Sequence, residues 1–146
     1  MSDPTAALQK QMIALIRAFG LHQGDRTPCG KPVSVAEAHA LLELSRHAPL
    51  AQRDLAAWLR LEKSTVSRLV AQLVAQGWVR REPSAADGRV LLLSLTAEGQ
   101  RIAGDLAAAR RARFERLLQA IPAARRDEIA GALGLLVEAI DASRQE

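Results

Sequence analysis

The segment KSTVSRLVAQLVAQG, from Lys63 to Gly77, constrains the fold more than any other stretch of the chain. Val66, Leu69, Val70, Leu73 and Val74 recur at i, i+3, i+4, i+7 and i+8, which on an α-helix makes one apolar stripe. At about 100° per residue, Ser64, Thr65, Arg68, Ala71, Gln72 and Ala75 fall on the opposite side. That side consists of short hydroxyls, alanines, one arginine and one glutamine. It can press against another surface and still offer hydrogen bonds, whereas a face meant for water alone would be crowded with Glu and Lys. Gly77 stands where a helix ends in the left-handed conformation. Trp78-Val79 then opens one short β segment and Val90 to Leu95 forms a second. The PSAADG link between them carries Pro83 and the turn pair Asp87-Gly88. A shorter helix, about Gln52 to Leu59, precedes the striped one and is expected to pack Leu55, Trp58 and Leu59 against it. Trp58 and Trp78 both read as core anchors.

Helix, turn, helix and a two-stranded hairpin with arginines near its tip form a winged helix-turn-helix plan. In that plan the second helix enters the major groove of DNA. Arginine on a wing suits the narrow, electronegative minor groove beside it. At these residues the chain resembles the MarR-type transcriptional regulators. The resemblance is carried by LAAWLRLEKSTVSRLVAQLVAQGWVRRE, by DGR at Asp87 to Arg89 and by LSLTAEG from Leu93 to Gly99. It implies a dimeric DNA-binding regulator, usually a repressor, often relieved by a small molecule or by oxidation. An inducer is then expected in the crevice between the dimer helices and the DNA-binding lobe.

The rest of the chain fits that plan. A first helix from about Thr5 to Leu21 carries Leu8, Met12, Leu15, Ile16 and Phe19 as its stripe. HQGDRTPCGKP, with two glycines and two prolines, breaks it into a loop. Ser34 and Glu37 form a capping box that starts a second helix through Leu41, Leu42 and Leu44. Thr96 is placed to cap a long helix bearing Ile102, Leu106, Phe114, Leu117 and Leu118. Pro122 suits the first turn of a last helix, in which Ile129, Leu133, Leu136, Val137 and Ile140 make a short coiled-coil-like seam. The expected fold is therefore mainly α with a small β-hairpin wing. Residues 1–146 form a single domain, with a winged helix-turn-helix lobe over 33–95 and dimerisation helices over 5–21 and 97–143.

Charge follows the same division. Residues 50–95 hold seven Lys/Arg against four Asp/Glu, a net of +3, out of +4 for all 146 residues. The excess sits where an acidic partner would bind. One cysteine excludes an internal disulfide framework and fits a reducing compartment. No apolar run approaches the roughly 20 residues that span a bilayer, and MSDPTAALQKQ lacks the pattern of a signal peptide. A cytoplasmic protein that does not engage membranes is expected.

A dimer presents two recognition helices to half-sites about one DNA turn apart, so the partner is expected to be a palindromic double-stranded operator. The candidate recognition residues are Lys63, Ser64, Thr65, Ser67, Arg68 and Gln72. Arg68 suits a bidentate contact to guanine, while Ser67 at the flank and Lys63 at the helix start suit phosphates. In the wing they are Asp87, Gly88 and Arg89, with Arg89 entering the minor groove and Asp87 orienting it or forming the turn. Gln52 and Arg53 are candidate phosphate contacts. Arg80 and Arg81 are either that or a solvated strand end.

Catalysis has little support. His22, His39 and His47 fall in no hydrolase or zincin arrangement, and no glycine-rich phosphate loop occurs. Neither an enzyme nor a cofactor is expected, and the small-molecule effector is left without an identity. Cys29, with Arg26 and Lys31 near it, is a candidate redox sensor. The resemblance weakens that reading, because peroxide-sensing relatives carry their cysteine inside the first helix beside tyrosines, and this chain has no tyrosine. Cys29, Glu37 and His39 with His22 offer zinc-type donors. Zinc-responsive relatives add a histidine pair on the fifth helix, however, and no histidine follows His47 here, so no metal is expected. The arginine run Arg110, Arg111, Arg113 and Arg116 reads as a solvated or dimer-flanking face. The rivals to a DNA-binding regulator are a winged-helix protein-docking module and a metal- or thiol-based sensor using Cys29 and His39.

Overall fold

The computed structural model describes residues 2–23, 26–27 and 30–145, and its elements follow the chain in the order α1 (Pro4–Phe19), α2 (Val35–His47), β1 (Leu50–Ala51), α3 (Gln52–Leu59), α4 (Lys63–Ala75), β2 (Val79–Pro83), β3 (Leu91–Leu95), α5 (Ala97–Ala120), a 3-10 turn (Ala123–Arg125) and α6 (Arg126–Ser143). Two compact units divide it, Met1–Ala109 and Arg110–Glu146, with α5 running from one into the other.

In the first unit, local chemistry sets the helix ends. Asp3 caps α1 through its carboxylate, which accepts from Thr5 N–H at 2.9 Å. The helix stops at Phe19, two residues before the expected end, because Gly20 takes φ +87° and its N–H and that of Leu21 both turn back to the Ile16 carbonyl. Ser34 and Glu37 form the expected capping box, with Glu37 N–H donating to Ser34 Oγ at 3.0 Å and Ser34 N–H to Glu37 Oε1 at 3.1 Å. Helix α4 closes as a Schellman turn, in which Trp78 N–H reaches the Leu73 carbonyl, Gly77 N–H reaches that of Val74, and Gly77 has φ +80°. The turn from α3 to α4 closes in the same way on a non-glycine residue, Arg60, at φ +53°.

The core is built where these helices meet the sheet. Leu41 and Leu44 of α2, Leu55 of α3, Val66, Val70 and Leu73 of α4 and Leu93 of β3 are fully buried. Each contributes about 1.5–3 kcal/mol by leaving water. Ala103 and Leu106 bring the first turns of α5 into the same cluster. Thr96 fixes that junction. Its N–H donates to the Trp78 carbonyl at 3.0 Å, its hydroxyl donates to the Gly77 carbonyl at 2.6 Å, and its oxygen accepts from Gly99 N–H at 3.0 Å.

Three expectations are corrected. The sheet has three antiparallel strands in the order β1-β3-β2, not two, because Leu50 and Ala51 pair with Leu93 and Leu92. The hairpin loop covers residues 84–90 rather than the expected 83–88, since β2 and β3 pair from Val79↔Leu95 out to Pro83↔Leu91. Trp58 is not a core anchor. It is 51% exposed and sets its ring edge-on to His47 at 4.2 Å between centroids, whereas Trp78 packs partly buried against the core.

Apolar side chains also stand in water. In the first unit α1 buries no residue, and Leu8, Ile13, Leu15 and Ile16 are exposed. In the second unit Phe114, Leu117 and Leu118 of α5 and Ile129, Leu133, Val137 and Ile140 of α6 are exposed too. No helix among the described residues is long and apolar enough to cross a membrane.

Candidate nucleic-acid interface

The apolar stripe of α4 goes inward as its spacing requires, which turns the other side of the helix out. Lys63, Ser64, Ser67, Arg68, Ala71 and Gln72 are exposed, and Thr65 is half-buried at the margin. Opposite the buried stripe, at about 100° per residue, the crest of that side runs through Ser64, Arg68, Ala71 and Ala75. Arg68 is the only long side chain on it. The edge bearing Lys63 borders α3 and the wing, and Gln72 lies on the other edge.

At the Lys63 edge the fold gathers side chains from three elements. Gln52, Arg53 and Ala56 of α3, Lys63 and Val66 of α4, and Arg89, Val90 and Leu91 of the wing line one open concavity of about 240 Å³. Three cations meet there, and no carboxylate is among the lining residues. Neither α3 nor α4 has a side-chain cap, since Ala51 and Glu62 occupy the N-cap positions without capping hydrogen bonds. The first-turn N–H groups of both helices are thus left for water or for an anion. Gln52 Oε1 is buried there without a hydrogen-bond partner. These missing caps were readable in the sequence. The convergence of Arg53, Lys63 and Arg89 was not, because it depends on how α3, α4 and the hairpin pack.

The wing is shaped by its own short polar groups. Ser84 Oγ accepts from Ala86 N–H at 3.2 Å and Asp87 N–H at 3.5 Å, while Ser84 N–H donates to the Val90 carbonyl at 2.8 Å. Asp87 Oδ1 accepts from Arg89 N–H at 3.0 Å, and the Asp87 carbonyl accepts from Val90 N–H at 3.0 Å. Asp87 therefore forms the turn, one of the two roles foreseen for it. Gly88 and Arg89 occupy the turn's centre, and Arg89 lines the cationic concavity.

The other candidates are dispersed. Arg80 pairs with Glu82 at 3.3 Å and lines a separate hollow with Ser45, Ser94 and Gln100. Arg81, next along β2, is exposed opposite Leu93. Cys29 lies outside the described residues. Glu37 is committed to its capping box, and His39 is on the exposed side of α2. No group of three or more His, Cys, Asp or Glu suited to a metal ion occurs among the described residues. A further hollow that the sequence did not reveal is lined by Ile13, Ile16, Arg17 and His22.

Comparison with known proteins accords with this architecture. The sequence model of the MarR family matches residues 31–90. An uncharacterized HTH-type transcriptional regulator of Mycobacterium leprae is 32% identical over 146 residues, covering 98% of this chain and 99% of the relative. Among solved structures, Streptococcus pneumoniae FabT in complex with DNA superposes with a TM-score of 0.77 at 17% identity, over 96% of this chain and 99% of that one. The PcaV transcriptional regulator of Streptomyces coelicolor, in complex with its natural ligand, does so with a TM-score of 0.73 at 23% identity, over 97% and 94%. At those identities the structures speak for the fold. The MarR family model and the full-length relationship to the mycobacterial transcriptional regulator together carry the assignment, and the chain belongs to the MarR family of transcriptional regulators.

Proposed function

We propose that the protein is a homodimeric repressor that binds a palindromic double-stranded operator in the cytoplasm and is released by a small molecule. The observation that carries this reading is the concavity in which Arg53, Lys63 and Arg89 converge beside the exposed crest of α4. Three cations and two uncapped helix starts suit a phosphate run, and the crest beside them is free to enter the major groove. Ser64, Thr65 and Arg68 then face bases, Lys63 and Ser67 face phosphate, and Arg89 bridges the groove edge from the wing. No large apolar side chain stands on that crest, and a protein-docking winged helix would need one.

Dimerisation is supported by the apolar side chains left in water by α5, by α6 and, on α1, by Leu8 and Leu15. A second copy would cover them and set two α4 helices for half-sites about 34–36 Å apart. The hollow of Ile13, Ile16, Arg17 and His22 is our candidate effector seat, since an apolar wall with one cation and one imidazole suits a small amphiphilic anion. The FabT structure with DNA and the PcaV structure with its ligand lend support by fold.

Selection from random duplex DNA by the purified protein, at fixed salt and with or without thiol reductant, tests the reading. An inverted repeat under both conditions is the expected result. A repeat obtained only with reductant would replace the small-molecule signal by an oxidative one at Cys29. No enriched sequence would overturn DNA reading altogether.

A further inference from the structure

The crest of α4 carries more than a place to dock. Along it, Ser64, Ala71 and Ala75 are small and Arg68 is long, while Gln72 extends from the edge away from the cationic concavity. Small residues around one arginine let the helix backbone approach the base edges closely. At that approach an alanine methyl is itself a reader, because among the base edges of the major groove only thymine presents a methyl group. Lys63 is excluded from base reading by its place in the concavity, and Ser67 by its place on the same edge of α4. The base-reading set is thereby reduced to Arg68, Ala71 and Gln72 beyond the first turn.

From these positions we infer the chemistry of the half-site, an inference that rests on the DNA-binding reading above. Arg68 fixes a guanine through O6 and N7, the Ala71 methyl packs on a thymine methyl, and Gln72 takes an adenine at N6 and N7. At about 1.5 Å of rise per residue, Ala71 and Gln72 lie about 4.5 and 6 Å along the helix from Arg68. With base pairs spaced about 3.4 Å apart, the A·T contacts fall within two base steps of the guanine. Each half of the operator therefore contains a G·C pair with A·T within two steps of it.

The test uses the operator selected by the wild-type protein and replaces single atoms in the DNA, so that no folding defect can imitate the result. Exchanging the invariant guanine for 7-deazaguanine removes N7, and the expected loss is roughly fivefold or more in affinity. The same exchange should leave the Arg68→Ala protein unaffected. Exchanging the thymine for deoxyuridine removes one methyl, with an expected loss of roughly fourfold. That loss should vanish in Ala71→Gly. Gln72→Ala should abolish the adenine preference in a repeated selection. An operator whose half-sites lack a G·C pair with A·T within two steps would overturn the inference while leaving the regulator reading intact. Wild-type affinity indifferent to both base analogues would do the same. A selection that yields no sequence would instead remove the reading on which the inference rests.

Discussion

At the scale of single residues, the three cations of the concavity are distinguished from the other arginines by what surrounds them. Arg53, Lys63 and Arg89 share a lining without a carboxylate, whereas Arg80 already faces Glu82 at 3.3 Å in a different hollow. Phosphate contacts release counterions, so each lost contact flattens the dependence of affinity on salt by about one ion. Arg89→Ala and Arg53→Ala are each expected to weaken operator binding and to lower the slope of log K against log salt by about 1. Arg80→Ala is expected to leave the slope unchanged. A salt titration of the three variants checks this, and an unaltered slope for Arg89→Ala would take the wing out of the interface. Much of this layer was legible in the sequence, because residue type and helical spacing put Arg68 and Gln72 on the outer side of α4. Trp58 was misjudged for a physical reason. A large aromatic near an apolar run suggests burial, but α3 buries Leu55 and Ala56, and Trp58 is left against His47 at the surface.

Elements are held to one another by backbone contacts whose partners are far apart in sequence. The clearest is the seat of α5 on the end of α4, where Thr96 bonds the Gly77 and Trp78 carbonyls and Gly99 leaves no room for a side chain. A Cβ at Gly99 would lie 2.0 Å from the Trp78 carbonyl oxygen. Gly99→Ala must therefore displace α5 from the hairpin start, at an expected cost toward the upper end of about 1–3 kcal/mol. Thr96→Ala, which removes a cap and a cross-link together, is expected to cost about 1–2 kcal/mol. Urea denaturation measures both, and a Gly99→Ala midpoint equal to wild type would show that the seat yields freely. The sequence revealed Thr96 as a cap, through its place before Ala97-Glu98-Gly99, but not as a cross-link, since its partner carbonyls belong to another element. Strand β1 was missed for a related reason. Two residues, Leu50 and Ala51, carry no measurable alternation, and only their pairing with Leu93 and Leu92 makes them a strand.

For the whole molecule, the number of copies that present α4 to DNA sets the symmetry of the operator, and α6 carries a test of it within one helix. Leu133 belongs to the stripe with Ile129, Val137 and Ile140. Leu135, two positions on, lies about 200° around the helix and off that stripe. Both are exposed in the single chain, at 45% and 69%, so a charge at either is tolerable to the isolated protomer. They differ only if the stripe is covered by a partner. Leu133→Asp would then lose one apolar contact from each copy of a two-fold seam. At about 1.5–3 kcal/mol per leucine, dimer dissociation should be favoured by roughly 10²–10⁴-fold. Leu135→Asp should leave it unchanged. Sedimentation velocity at micromolar protein separates the two outcomes. Loss of the dimer in Leu133→Asp alone should be accompanied by loss of tight binding to the inverted repeat, with weak single half-site binding retained, because each α4 and its concavity stay intact. Equal behaviour of the two variants would mean that the α6 stripe is not the seam, and the apolar residues of α1 and α5 would then have to supply the contact that spaces the two recognition helices.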